Sequence, residues 1–160
     1  MIEIIAIDPG SSMGLALWDG EKIALLATFR LSDVDGAAEV LAFLRQFAPA
    51  RVIVEDPALV QVNSSTHARH VLQRRLGAIL ALAQIAWPHA RIELVTTHVW
   101  QSWAHAGRVE ADPKQRSLGR VMQGPISAAA LAELRGPRGG LRTDVADAGC
   151  MVLWGALCRV

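Results

Sequence analysis

The sequence predicts one α/β domain spanning residues 1–160, built on a five-stranded mixed sheet of three antiparallel strands followed by two parallel ones, with helices on both faces. Three observations carry that expectation. Ile2–Ile7 is an unbroken apolar, β-branched-rich run ending at Asp8-Pro9-Gly10, the pattern of a central strand buried on both faces and followed by a tight turn. The apolar stretches Gly14–Trp18 and Glu21–Arg30 meet at Asp19-Gly20. That dipeptide is a strong hairpin signal, because both central residues of a type I′ turn take positive φ. After this opening, helix-period and strand-like segments alternate, as in a sheet covered on both sides.

The remaining elements follow in order. Asp33–Phe47 has helical spacing, with Val34, Ala37, Ala38, Leu41, Leu44 and Phe47 in one stripe, Ser32 as N-cap and Pro49 as stop. Arg51–Glu55 is a short apolar strand. A polar loop over Ala58–Ser65 leads to a long helix, capped by Ser65 or Thr66, that runs to Ala86 on the stripe Leu72, Leu76, Ile79, Leu80 and Ala83. Arg91–Val95 is the fifth strand. Short helices are expected over Thr97–Ala106, Pro113–Met122 and Ser127–Leu134, and Thr143–Arg159 closes the chain as an apolar helix that Thr143 can cap.

Composition narrows the functional class. At 160 residues and 52% hydrophobic content, the chain buries enough surface to need no staple. No apolar window reaches the ~20 residues of a membrane span, so no membrane partner is expected. The start lacks a signal peptide's basic region and cleavage site and reads as an intact N-terminus, which fits a cytoplasmic protein. Cys150 and Cys158 fall on one helix about 12 Å apart, beyond the roughly 7 Å limit of a disulfide. Both read as buried free thiols.

The net charge is only +1, but the basic residues gather: Arg69, Arg74 and Arg75; Arg108, Lys114, Arg116 and Arg120; and Arg135, Arg138 and Arg142. Local basic patches bind phosphates with a steep salt dependence as their signature. Arg74 and Arg75 are the preferred phosphate contacts. The plainer reading is a solvated mixed-charge surface. Trp87, Trp100, Trp103 and Trp154 read as core or interface residues, and His98 and His105 as surface residues.

Four acids resist a structural explanation. Asp8 and Glu55 each end an apolar strand, and Asp144 and Asp147 lie three apart on one face of an apolar helix. Each has an ordinary alternative. Asp8 can shape a turn, Glu55 can be a strand-end charge, and Asp144 can favour a helix dipole. Asp147, among Val145, Ala146, Ala148 and Gly149, is the hardest to place in that way. Buried carboxylates are costly unless paired or bound to metal, and an all-oxygen set suits Mg²⁺ or Mn²⁺. Two such cations can activate water and stabilise the leaving oxygen of a phosphodiester.

The segment Ile5-Ala6-Ile7-Asp8-Pro9-Gly10 resembles the opening of the RuvC-type Holliday junction resolvases, and so does Val52-Ile53-Val54-Glu55. The stretch from Asn63 through Arg75-Leu76-Gly77, the segment Gly107–Gln115 and Thr143-Asp144-Val145-Ala146-Asp147-Ala148 are similar to later motifs of that family, in the same order. The resemblance, to a divergent and phage-like branch, implies an RNase H-like fold, a homodimer and symmetric paired nicks across a four-way DNA junction. It implies Asp8, Glu55, Asp144 and Asp147 as catalytic acids holding two Mg²⁺ ions, with Mn²⁺ as substitute. It also implies a loop over Leu59–Ser65 near the junction centre. The expected DNA contacts are Asn63, Ser64, Arg69, Arg74, Arg75, Arg108, Lys114 and Arg116. That loop lacks an aromatic wedge, and Trp100-Gln101 stands where the family would suggest a lysine.

Two other readings share these residues. A YqgF-like RNA-processing or flap nuclease keeps the fold and changes the substrate. An actin-like ATPase or sugar kinase would use Asp-Pro-Gly-Ser-Ser-Met-Gly as a phosphate loop, but the chain lacks the second loop such proteins need, and no nucleotide cofactor is expected.

Overall fold

The structure is a computed structural model describing residues 1–10, 12–31, 34–57, 66–135 and 140–158. Its strands are β1 (Ile4–Asp8), β2 (Met13–Trp18), β3 (Ile23–Phe29), β4 (Arg51–Asp56) and β5 (Arg91–Thr96). They lie side by side as β3-β2-β1-β4-β5. The β1–β2 and β2–β3 pairs are antiparallel, and the β1–β4 and β4–β5 pairs are parallel. This is the expected mixed sheet, with strand ends moved by one or two residues.

The first hairpin forms where Asp19-Gly20 places it, but with a different turn. Only Gly20 has positive φ (102°) there; Asp19 does not. The loop spans four residues, closed by Asp19 N–H to Lys22 C=O at 3.2 Å. The Asp19 carboxylate accepts from the backbone N–H groups of Glu21 (3.0 Å) and Lys22 (2.9 Å). Its side chain thus mimics a turn and removes the need for a second positive φ.

The helices are α1 (Val34–Leu44), α2 (Thr66–Ala86), α3 (Thr97–Ala104), α4 (Pro113–Gln123), α5 (Ala128–Leu134) and α6 (Thr143–Leu157). The proposed cap Ser32 lies outside the described residues. Helix α1 stops short of Phe47, and the Trp87 indole N–H donates to the carbonyls of Leu44 (3.1 Å) and Phe47 (2.9 Å) at its frayed end. Asp112 caps α4 by accepting from Lys114 N–H, with Pro113 at the first helical position, and Ser127 caps α5. Thr143 is not the cap of α6: Arg142 holds that position without a side-chain cap bond.

Strand alternation sorts the core into two layers. Ile5, Ile7, Leu15, Leu17, Val52 and Val54 pack with Val40, Leu44, Ile79, Ala83 and Trp87 on the α1/α2 face. Ala6, Ala16 and Ile53 pack with α3, α4, α5 and α6 on the other. Helix α6 lies against β1 and β2 and approaches closely at Gly14, where a β-carbon would collide with the Asp144 backbone carbonyl. Only glycine admits that contact. Cys150 is buried as expected, whereas Cys158, at the end of α6, is partly exposed; both are free thiols. Among the described residues, no helix is long and apolar enough to cross a membrane.

Candidate active site

The same alternation brings the acids together. In β1, Ala6 faces the α6 layer and Ile7 the opposite one, so Asp8 continues toward α6. In β4, Ile53 faces α6 and Val54 the other layer, so Glu55 also turns toward α6. The parallel register pairs Ile7 with Val54, which sets Asp8 and Glu55 next to each other on neighbouring strands, whose spacing is about 4.8 Å. Asp144 and Asp147 lie in the first turns of α6, held over this end of the sheet by the Gly14 contact.

A cleft of about 470 Å³ opens there, lined by Asp8, Asp144, Asp147, Lys114 and Arg142, with Gly10, Ser12, Leu141 and Thr143. Glu55, on the neighbouring strand, is close enough to act on Asp8 but does not line the cleft. Burial, then the charges of Glu55 and Asp147, push Asp8 well above the usual carboxylate range, against a 3.0 Å bond from Gly10 N–H that lowers it. Burial raises Glu55 too, opposed by hydrogen bonds from the Thr97 hydroxyl (2.5 Å) and the Trp100 indole N–H (3.3 Å). Asp147 is raised by burial and partly relieved by the Ser117 hydroxyl and the charges of His105 and Lys114. Asp144 is held differently. Its Oδ2 accepts from the Thr28 hydroxyl (3.1 Å) and lies 3.6 Å from the Arg142 guanidinium, which also bonds Thr28 and Glu133.

Burial raises all three acids, with Glu55 and Asp147 adding to the rise at Asp8 and Asp147 adding to that at Glu55. Hard carboxylate oxygens in that setting fit a divalent cation of the Mg²⁺ or Mn²⁺ type. The oxygens are not gathered into a finished cage. Among the described residues, no three acidic, histidine or cysteine side chains are grouped closely enough to hold an ion as they stand. Asp144, turned to Thr28 and Arg142, accounts for part of that spread.

The expected DNA contacts divide into four sets. Lys114, exposed in the first turn of α4, borders the acid cleft. Arg108 and Arg116 are engaged by the protein itself. Arg108 bonds Gln123 (2.7 Å) and lies 3.7 Å from Glu110, and Arg116 donates to the carbonyls of Glu110 and Ala111. Arg69, Arg74 and Arg75 are on α2, and the latter two border a shallow groove with Leu31 and Ala37 rather than the acid cleft. Asn63, Ser64 and the whole 59–65 loop lie outside the described residues.

No protein-family model matches the chain, and no curated protein matches it by sequence. Among solved structures it is similar to RuvC of T. thermophilus in complex with a Holliday junction substrate, with TM-score 0.64 and 20% identity over 98% of this chain and 93% of that one. The chain has the RuvC fold. A second Thermus thermophilus RuvC structure superposes with TM-score 0.56 at 19% identity, over 99% of this chain and 97% of that one. The likeness therefore runs the length of this RuvC-like domain, and at this identity it speaks to architecture.

Several residues of the site escaped the sequence reading. Thr97 and Trp100 were assigned to a helix and a core, yet both donate to Glu55. Their three-residue spacing on α3 was the available signal. His105 is not a plain surface residue: its Nε2 lies 3.1 Å from the Ser117 hydroxyl oxygen. Burial, with Arg116 and Arg120 nearby, lowers its pKa, partly offset by the Asp147 charge. Ser117 faces inward with Leu118 and Val121, so a hydroxyl on an apolar helical stripe was its mark. Cys150 donates to the Ser117 carbonyl (3.3 Å), and burial pushes its thiol up to about 12, which disqualifies it as a nucleophile.

Proposed function

We propose that this chain is a metal-dependent endonuclease that resolves four-way DNA junctions by paired symmetric nicks. The observation that carries the reading is the convergence of Asp8, Glu55 and Asp147, from two strands and a helix distant in sequence, on a cleft that also holds Asp144 and Lys114. The RuvC likeness over nearly the full chain adds junction DNA as the substrate class.

Asp8, Glu55, Asp144 and Asp147 would hold the divalent ions. Bound there, Mg²⁺ supplies Lewis-acid polarisation of the phosphate and lowers the pKa of an attacking water. The protein's own part is positional. Thr97 and Trp100 fix one Glu55 oxygen, and Gly10 N–H fixes Asp8 Oδ1. Lys114 lines the same cleft as the acids and offers an ammonium to a phosphate there. The charged lining of the cleft, Lys114 and Arg142 beside the acids, suits recognition of phosphates rather than of one nucleobase. Two symmetric nicks require two such centres, hence a homodimer.

The test is cleavage of a synthetic four-way junction, beside a flap, a linear duplex and a structured RNA, with Mg²⁺ or Mn²⁺. Symmetric nicks on the junction alone support the reading. Cleavage confined to RNA or flaps would move the substrate to the related nuclease class, and cutting that survives Asp8→Asn would remove the acids from the chemistry.

A further inference from the structure

Asp144 turns to partners outside the set of acids. The Thr28 hydroxyl donates to its Oδ2 at 3.1 Å, and the Arg142 guanidinium stands 3.6 Å from the same oxygen. Arg142 also donates to Thr28 Oγ1 and, at 3.2 Å, to Glu133. Arginine only donates, so Thr28 accepts from it and keeps its own proton for Asp144. The sheet register builds this contact. Thr28 pairs with Gly14 across β2 and β3, and the missing side chain at Gly14 lets the first turn of α6 settle on the sheet beside it. The backbone of Arg142 is fixed: its N–H donates to the Leu134 carbonyl at 2.8 Å, next to the bridge between Arg135 and Leu141. A change of partner then needs only a turn of the side chain.

The guanidinium lines the cleft with Lys114, Asp8 and Asp147, and it is loosely engaged there. Its contact with Asp144 lies beyond hydrogen-bond range. Its bonds go singly to β3 and α5 rather than as a fork onto one carboxylate. A phosphate offers the paired, charge-assisted bonds that this arrangement lacks. Arg108 differs, since its groove is lined by Arg120 and Gln123 and not by the four acids. We propose that Thr28 and Arg142 are positioning residues that hold Asp144 back from the metal in the free chain, and that a DNA phosphate entering the cleft competes for Arg142 and so releases Asp144. This inference rests on Asp144 being a metal ligand of the proposed nuclease. It makes full assembly of the acids depend on substrate, because metal and DNA each favour the state the other needs.

The experiment titrates Mn²⁺ into the DNA-free full chain by calorimetry, for wild type, T28V, T28S and R142M. T28V and R142M should each bind Mn²⁺ more tightly than wild type, by about tenfold, the worth of one hydrogen bond to a charged group. T28S, which keeps the hydroxyl, should stay close to wild type. R142M also gains from the loss of a nearby positive charge; T28V changes no charge and separates the two causes. Metal-free binding of a four-way junction is then followed against salt. R142M should weaken it and lower the slope of log affinity against log salt by about 0.9. T28V should strengthen it, because Arg142 has fewer partners to leave. Mn²⁺ or junction binding that is unchanged or weaker in T28V, or an unaltered salt slope in R142M, would overturn the proposal. Should T28V fail to fold, T28A carries the same expectations, on a strand at the edge of the sheet. If neither wild type nor any variant binds Mn²⁺, the nuclease reading fails and this inference with it. Tight binding in wild type that T28V leaves unmoved defeats only this inference.

Discussion

Asp8 and Glu55 leave neighbouring parallel strands on the same side of the sheet, with Asp147 close enough to raise both. Two carboxyl groups in that relation hold a proton between them or attract a cation, because both cannot ionise freely at short range. The arrangement is useful to a metal enzyme and unfavourable to the fold without metal. The predictions below follow from that tension.

Asp8→Asn keeps the shape of the side chain and removes its charge. Nicking of a four-way junction should fall below detection, with junction binding retained. The metal-free variant should melt higher than wild type, by roughly 2–4 °C if about 1 kcal/mol of repulsion is relieved in a chain of this size. A lower melting point would mean that Asp8 supports the fold in its charged form.

The pH dependence has a definite sign. Asp8, Glu55 and Asp147 are all raised in the folded state, by burial first. Between the ordinary carboxylate range and these raised values, the native chain holds protons that the unfolded chain has released. Stability of the metal-free protein must therefore fall as pH rises through that window and level off above it. Glu93 runs the other way. Its hydrogen bonds to Arg51 (2.7 and 2.9 Å) lower it, so its contribution is present above the usual glutamate value and lost on further acidification. Thermal melts across mildly acidic to neutral pH should descend without metal, and saturating Mg²⁺ should flatten that descent.

Lys114→Ala should reduce binding of four-way junctions of different sequence alike. The slope of log affinity against log salt should shrink by about 0.9, the share of one phosphate contact. Mn²⁺ affinity without DNA should hardly change. Arg108→Ala provides the contrast: its guanidinium bonds Gln123 and Glu110 inside the protein, so its loss should lower the melting point and leave the salt slope alone. Equal slopes for wild type and Lys114→Ala would take Lys114 off the DNA path.

Gly14→Ala tests the seat of α6. The added methyl meets the Asp144 carbonyl, and overpacking of this kind costs about 1–3 kcal/mol. The displaced backbone carries Asp144 and Asp147 with it, so cleavage should drop further than stability alone explains. A stable, fully active variant would show that the start of α6 is not fixed by this contact.

Sequence alone determined the sheet and singled out the acids as candidates. Apolar runs with β-branched residues, a hairpin dipeptide and helical stripes are local signals, and they placed every strand within about two residues, which is the usual scatter of such boundaries. The apolar context of Asp8, Glu55 and Asp147 marked them because charge beside buried surface demands a partner. Tertiary structure decided what depends on distance through space. The turn at Asp19 is made by a side chain reaching back to two amides. Arg108 and Arg116, counted as DNA contacts from their charge, are engaged by acceptors brought near by the loop before α4 and by α4 itself. Thr97 and Trp100 donate to Glu55 only because β4 and α3 meet at one end of the sheet. Hydrogen bonds act over about 3 Å, and no spacing along a chain specifies which distant groups the packing of its layers brings that close.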